Sequence, residues 1–123
     1  MLVVGCGGGD SGAPKRITGP AKEVASVIGR LEKATREQDF ATICNDLLAA
    51  ETRNQAGGEQ CPDVLGERAR GVRRPRIRIL SIDVSGDRAR ARVRTTASGQ
   101  AAVSDVIALV RESGRFRVSS LGR

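Results

Sequence analysis

Alternating apolar and polar residues dominate the stretch from Arg76 to Thr95 and predict a β-hairpin. In the first arm the alternation changes phase once, between Ile79 and Leu80, which is typical of a β-bulge. Ser85-Gly86-Asp87 has the composition of a tight turn. The second arm alternates small apolar residues with guanidinium side chains, namely Ala89, Ala91 and Val93 with Arg88, Arg90, Arg92 and Arg94. We therefore expect a hairpin with one dry face and one arginine-bearing face.

The patterns after the hairpin predict two further strands. Residues 96–100 are polar and are expected to form a loop. The apolar run over residues 101–111 predicts a central strand with both faces covered. Glu112-Ser113-Gly114 is a turn, and alternation over residues 115–121 predicts a last strand. Together with the hairpin, these segments predict a four-stranded antiparallel meander.

The first half of the chain predicts helices. After Gly19-Pro20, a common helix start, apolar residues recur at helical spacing at Val24, Val27, Ile28, Leu31 and Ala34. Glu23 is expected to interact with the helix dipole in the first turn. Asp39 predicts the N-cap of a short second helix with the apolar residues Phe40, Ile43, Cys44, Leu47 and Leu48. Residues 51–60 are expected to form a surface loop, and residues 61–63 to open a third short helix.

Composition excludes several kinds of chemistry. The 123 residues fit one domain, and the formal net charge of +7 raises the question of anionic partners. The sequence contains no His, Tyr or Trp. It therefore has no imidazole base, no His metal ligand and no Ser-His or Cys-His nucleophile pair. We predict neither a cofactor nor a metal site.

The N-terminal residues predict a location outside the cytoplasm. Val3-Val4-Gly5-Cys6 resembles the bacterial lipobox, in which small or aliphatic residues precede a cysteine that is diacylated. On this hypothesis residues 1–5 are the remnant of a signal peptide, Cys6 carries the lipid, and residues 6–19 form a flexible tether. Two acyl chains provide a durable membrane anchor. The alternative is a disordered tail with an incidental cysteine.

Cys44 and Cys61 have two interpretations, which depend on the compartment. In an exported protein the pair predicts a disulfide that ties the second helix to the segment after the loop. In a cytosolic protein both are small buried hydrophobic residues. If Cys6 carries lipid, the other two of the three cysteines form an even pair, so the two hypotheses support each other.

Several motifs together resemble a known family. They are the amphipathic first helix, a short helix with the pattern Asp39-Phe40-Ala41 and Cys44, a further Cys, a strand ending in Ser85-Gly86-Asp87, and the closing segment 109–121. The combination is similar to the nuclear transport factor 2-like, or cystatin-like, domain of small actinobacterial lipoproteins, over residues 20–123. The resemblance implies an α+β fold in which N-terminal helices pack on a curved four-stranded antiparallel meander, as a cone with a pocket at its mouth. The chain is short for this family, which implies a shallow or filled pocket.

Asp105 is the candidate for chemistry in that pocket. Enzymes of the superfamily place Asp, Tyr or His inside the cone, and Asp105 is the only acid within an apolar strand here, in phase with Ile107 and Leu109. If this face lines a pocket, the carboxylate could accept a proton or bind a cationic ligand. The other interpretation places it near the strand start or on the solvated side. A lone acid also lacks the electrophilic partner that such sites use.

The arginine row, Arg88, Arg90, Arg92 and Arg94, is the other candidate surface. Alternate strand residues are about 6.6–6.8 Å apart, which is close to phosphate spacing. The patch could be extended by Arg73, Arg74, Arg76 and Arg78. No interleaved exposed aromatic residues are available for stacking on bases. We rank a solvated outer face first, contact with anionic lipid head groups or envelope polymers second, and nucleic acid third.

These observations predict a lipid-anchored or secreted protein on the extracytoplasmic face of the membrane, which acts by binding and not by catalysis. Its partners would be the membrane, through the anchor, and a small apolar molecule, an envelope protein or a second copy of the chain. One alternative is a degenerate isomerase- or cyclase-like enzyme that uses Asp105. Another is a basic cytosolic binding protein.

Overall fold

The computed structural model describes residues 19–121. The predicted signal-peptide remnant at residues 1–5, the lipidation site Cys6 and the tether up to residue 18 lie outside the described residues. The helices are α1 (Gly19–Arg36), α2 (Phe40–Thr42), α3 (Ala50–Gln55) and α4 (Cys61–Arg68). A π-helical turn (Ile43–Leu47) continues α2, and a 3-10 turn (Gly58–Gln60) precedes α4. The strands are β1 (Arg76–Ser85), β2 (Arg88–Ala97), β3 (Gln100–Glu112) and β4 (Arg115–Ser120).

The strands form one antiparallel sheet in the order β1-β2-β3-β4, which confirms the predicted meander. Ile79 pairs with Val93 and Ser81 with Arg92, so Leu80 is an extra residue and the predicted bulge is present. After the phase change, Leu80 is in step with Ile82 and Val84, which predicts that it lies on the dry face, and this prediction is wrong. The bulge turns Leu80 outward, where 46% of its surface is exposed.

The strands β2 and β3 differ from the prediction in two ways. The loop expected at residues 96–100 is only a turn at Ser98-Gly99, because both strands extend towards it. The expectation that both faces of β3 are covered is wrong, since Ile107 and Leu109 are buried but residues 101–104 are exposed. Small and β-branched apolar residues suit a strand with one covered face as well as one with two, so composition did not distinguish them.

The first helix supplies one side of the core. Its predicted apolar residues are all buried, namely Val24, Val27, Ile28, Leu31 and Ala34. The role predicted for Glu23 is wrong, because the first turn of α1 contains no acidic residue. The Glu23 carboxylate instead accepts the backbone N–H of Phe116 at 2.9 Å and pairs with Arg111 at 3.2 Å. Glu23 therefore fastens α1 to the end of the sheet where β3 turns into β4.

The predicted N-cap at Asp39 is confirmed. Its carboxylate accepts the Thr42 hydroxyl at 2.7 Å and the Thr42 backbone N–H at 3.2 Å. These hydrogen bonds, the hydroxyl's first, lower the pKa of Asp39 from its ordinary value. The segment that follows buries most of its predicted apolar residues, namely Ile43, Cys44, Leu47 and Leu48.

The surface loop predicted for residues 51–60 is wrong, because most of this segment is helical. It contains most of α3 and the 3-10 turn. The residues of α3 are mostly good helix formers, but none of them is buried, so no apolar period revealed the helix. A residue far away in the sequence stabilises its first turn, because the Ala50 N–H donates to the Glu112 carboxylate at 3.2 Å.

Helices and sheet share one core. Ala89, Ala91 and Val93 of β2 are buried in the same cluster as the apolar stripe of α1. Cys44 and Cys61 lie in this cluster and form a disulfide, which confirms the pairing predicted for an exported protein. The bridge links the π-helical turn to the start of α4.

Removal of this disulfide should lower the free energy of unfolding. The bridged residues are 17 apart in sequence, and restricting an unfolded loop of that size contributes about 3 kcal/mol. In urea titrations, Cys44→Ala/Cys61→Ala should unfold earlier than Cys6→Ala, which keeps the bridge. Equal midpoints would contradict this expectation, as would a non-reduced wild-type mass without the loss of two hydrogens.

Candidate functional site

A cavity of about 450 Å³ opens between the helices and the inner face of the sheet. This volume lies within the range of about 300–1,000 Å³ found for small-molecule sites. Its walls come from α1, the α2 segment and α4 on one side, and from β1, β2 and β3 on the other. Apolar side chains make up most of the lining and include Leu31, Phe40, Ile43, Leu65, Val93 and Ile107. The implied pocket is therefore present and is not filled by side chains.

A few polar side chains interrupt the apolar lining, namely Thr35, Arg68, Thr95 and Asp105. The Thr35 hydroxyl donates to the backbone carbonyl of Leu31 at 2.7 Å, and the Thr95 hydroxyl donates to that of Val103 at 3.3 Å. Both hydroxyl protons are thus used within the protein, so a ligand meets the acceptor lone pairs of these oxygens. Arg68 supplies the charged side-chain donor in the lining.

Strand β3 places Asp105 opposite Val93, where its side chain lines the cavity and is partly buried. Within residues 19–121 its carboxylate has no hydrogen bond and no ion pair, so it is available to a ligand. Among the described residues of this lining, Arg68 is the other charged side chain, and a guanidinium has hydrogen-bond donors but no acceptor. The cavity lining therefore offers Asp105 no second group with which to exchange a proton.

Two further spaces lie beside the cavity along β1. A second space, of about 260 Å³, shares four wall residues with it, namely Thr35, Val72, Ile77 and Thr95. A third space, of about 510 Å³, adjoins the second at Pro75 and Arg76 and is also lined by Arg36 and Arg74. We call Arg36, Arg74 and Arg76 the mouth arginines. Arg36 comes from the end of α1, Arg74 from the connector before β1, and Arg76 from the first position of β1, so no local sequence pattern joins Arg36 to the other two.

The arginine row lies on the outer face of the sheet, away from the cavity. All four side chains, those of Arg88, Arg90, Arg92 and Arg94, are exposed. The strand register sets Asp83 beside Arg90, but Arg78 stands beside Arg94 and adds to the positive charge. Among residues 19–121 the row forms no ion pair within 4 Å. The outer face therefore carries largely uncompensated positive charge.

The cysteines offer no free thiol in the described range. Cys44 and Cys61 are joined to each other, so neither is a nucleophile or a metal ligand, and Cys6 lies outside the described residues. Residues 19–121 contain no group of three or more side chains placed to hold a metal ion. In that same part of the chain, no helix combines the length and apolar character needed to cross a membrane.

Comparisons with known proteins bear on the fold. No protein-family profile and no curated protein sequence matches the chain. A nuclear transport factor 2-like protein of unknown function from Shewanella baltica matches in structure, with 15% identity and a TM-score of 0.56, over 79% of this chain and 86% of that one. A Campylobacter jejuni protein provisionally named a nuclear transport factor 2-like transpeptidase gives 16% identity and a TM-score of 0.59, over 80% and 98%. A SEC-C motif containing protein from Rhodopseudomonas palustris matches with 17% identity and a TM-score of 0.62, over 82% of this chain and 75% of that one.

These likenesses define the class of fold. The protein has the α+β cone of nuclear transport factor 2-like proteins, with N-terminal helices packed on a four-stranded antiparallel sheet, as the resemblance in its sequence predicted. At identities of 15–17% the likeness concerns the fold and does not transfer an activity. The function has to be argued from the cavity and the charged surfaces.

Proposed function

We propose that this protein is a non-catalytic binding module of the cell envelope, which takes a small apolar molecule into the cavity between its helices and its sheet. The observation that carries the proposal is the composition of the lining, which is mostly aliphatic with a few polar groups. Burying apolar ligand surface there is favourable by about 25 cal/mol per Å². Arg68 and Asp105 would hydrogen-bond polar atoms of the ligand that lie within the cavity.

The disulfide supports a location outside the cytoplasm, because such bonds persist in oxidising compartments. With Cys44 and Cys61 joined, Cys6 is the remaining one of the three cysteines. We infer that Cys6 carries a diacylglyceryl anchor and that residues 6–19 tether the domain to the membrane. The arginine row is consistent with this placement, since a positive face is attracted to anionic head groups within about a Debye length, on the order of 10 Å.

Macromolecular partners follow from the same surfaces. An envelope protein with an acidic surface would complement the arginine row. A homodimer built through this face would oppose like charges across the interface, which disfavours it. A second copy of the chain would therefore have to bind through another surface. Nucleic acid is the least suitable partner, because the face presents guanidinium groups without aromatic rings for stacking.

Filling the cavity should abolish the binding of an apolar probe. Leu65 lines the cavity and is only partly buried, so Leu65→Trp can place an indole there without rebuilding the core. Leu80→Trp is the matched control, because it adds the same side chain at the exposed bulge. We expect the neutral probe N-phenyl-1-naphthylamine to become fluorescent with the wild type and with Leu80→Trp, but not with Leu65→Trp. Equal probe binding by the two variants would overturn the proposal.

Lipidation of Cys6 is tested separately, in cells that produce the protein. An alkynyl fatty acid should label the wild type, which should fractionate with membranes. The Cys6→Ser variant should lose the label and move to the soluble fraction, because the acyl chains provide most of the membrane affinity. Absence of label from the wild type would refute the anchor and leave the cavity proposal intact.

A second candidate function uses Asp105 as the base of a degenerate isomerase- or cyclase-like enzyme. One observation favours it, since a carboxylate without a partner in residues 19–121 lines the cavity. The composition of the lining argues against it, because among residues 19–121 Arg68 is the only electrophilic group there. The provisional transpeptidase name belongs to the Campylobacter jejuni protein, and at 16% identity it assigns no residue a role here.

Proton exchange separates binding from this catalytic alternative. An apolar ketone with acidic α hydrogens can be incubated in D₂O with the wild type and with Asp105→Asn, and followed by NMR. We expect neither protein to accelerate exchange, because among the described residues the lining offers a single guanidinium, that of Arg68, and no second charged donor to stabilise an enolate. Exchange that is fast with the wild type and lost in Asp105→Asn would establish an enzyme in place of a binding module.

A further inference from the structure

We propose that the ligand of this cavity is an amphiphilic anion, whose apolar body lies in the cavity and whose carboxylate or phosphate head is bound by the mouth arginines. This inference rests on the proposed binding function and adds the chemical class of the ligand. It depends on three features of the structure: the adjacency of the cavity and the mouth, the fixed position of Arg74, and the local excess of positive charge.

The cavity and the mouth are adjacent, because neighbouring spaces share wall residues. Ile77 and Thr95 line both the 450 Å³ cavity and the 260 Å³ space beside it. Pro75 and Arg76 line both that space and the one between the mouth arginines. The three spaces therefore lie side by side along β1, and a ligand longer than the cavity has only these shared wall residues to pass on its way to the mouth arginines.

The position of Arg74 is set by its surroundings. Its backbone has φ of 49°, in the left-handed region that a residue with a Cβ rarely adopts. Its Nε donates to the Ser98 hydroxyl at 2.9 Å, and the neighbouring Arg73 carbonyl accepts the Ser98 N–H at 2.8 Å. The connector is thus fastened to the β2–β3 turn. Within residues 19–121 the terminal nitrogens of Arg74 make no ion pair, so they remain available to a ligand.

Positive charge exceeds negative charge at the mouth. Glu32 is the acid beside the mouth arginines, with its Oε1 3.7 Å from an Arg36 nitrogen. Its Oε2 accepts the backbone N–H of Ile77 at 2.7 Å, so this carboxylate is also used to hold the start of β1. The mouth is therefore lined by three arginines, and the carboxylate beside it is already hydrogen-bonded. Planar guanidinium groups match carboxylate and phosphate oxygens in bidentate geometry, which favours an anionic head group.

A series of ligands with one chain and different head groups tests this inference. Dodecanoate, dodecyl phosphate, dodecanol and dodecylammonium would each displace N-phenyl-1-naphthylamine from the wild type, below their micellar concentrations. We expect both anions to bind at least about tenfold more tightly than the alcohol, because charge-assisted hydrogen bonds to the head group add to burial of the chain. The cation should bind most weakly.

Substitution of the mouth arginines then tests whether they cause the preference for anionic head groups. Arg36→Gln/Arg74→Gln/Arg76→Gln should reduce the affinity for both anions to that for dodecanol and leave dodecanol unchanged. The matched control, Arg88→Gln/Arg90→Gln/Arg92→Gln, removes the same charge from the outer face and should keep the preference for anions. Loss of the preference in both triple variants would show that net charge attracts the anions, and would overturn the assignment to the mouth.

The remaining outcomes separate the two proposals. Equal affinity for all four ligands would refute the anionic head group and leave an apolar binding module. Tightest binding of dodecylammonium would also refute it and assign recognition to Asp105. If the probe itself does not bind, or binds equally to Leu65→Trp, the cavity proposal fails and the inference fails with it.

Discussion

The packing of α1 on the inner face of the sheet is the contact on which the other features of this protein depend. The helix contributes its whole apolar stripe, and β2 contributes the small residues Ala89 and Ala91 beside Val93. With two Phe and no Trp or Tyr in the sequence, the core depends on aliphatic side chains, each worth about 1.5–3 kcal/mol when fully buried. Glu23 fastens the edge of this contact at the β3–β4 end, and the disulfide joins the π-helical turn to α4 within the same core.

The same alternation that buries one face of β2 separates two surfaces. The dry face continues from the core into the cavity, so the apolar lining is an extension of the packing that stabilises the fold. The opposite face carries the arginine row, which is exposed and faces solvent. The mouth arginines lie where the cavity meets the surface, so apolar lining and positive charge are close together there. An amphiphilic anion is the ligand that combines both.

Sequence reasoning predicted the features that follow from periodicity. The stripe of α1, the bulge in β1 and the four-stranded meander all leave a local pattern of apolar positions, and the structure has each of them. The sequence did not predict contacts between residues that are far apart along the chain. Glu23 reaches Phe116, Glu112 holds the first turn of α3, and Arg36 approaches Arg76 only after the chain has folded. An exposed helix such as α3 has no buried stripe, so it resembled a loop.

The binding of an amphiphilic anion in the cavity is tested most directly by mapping the ligand on the protein. A titration of ¹⁵N-labelled protein with dodecanoate, followed by two-dimensional NMR, reports which backbone amides change environment. If the anion binds in the cavity and its mouth, we expect saturable shifts for residues there, such as Leu65, Val93 and Arg76. Shifts confined to the outer face, around Arg90 and Arg92, would contradict it, because they would place the anion on the arginine row and leave the cavity empty.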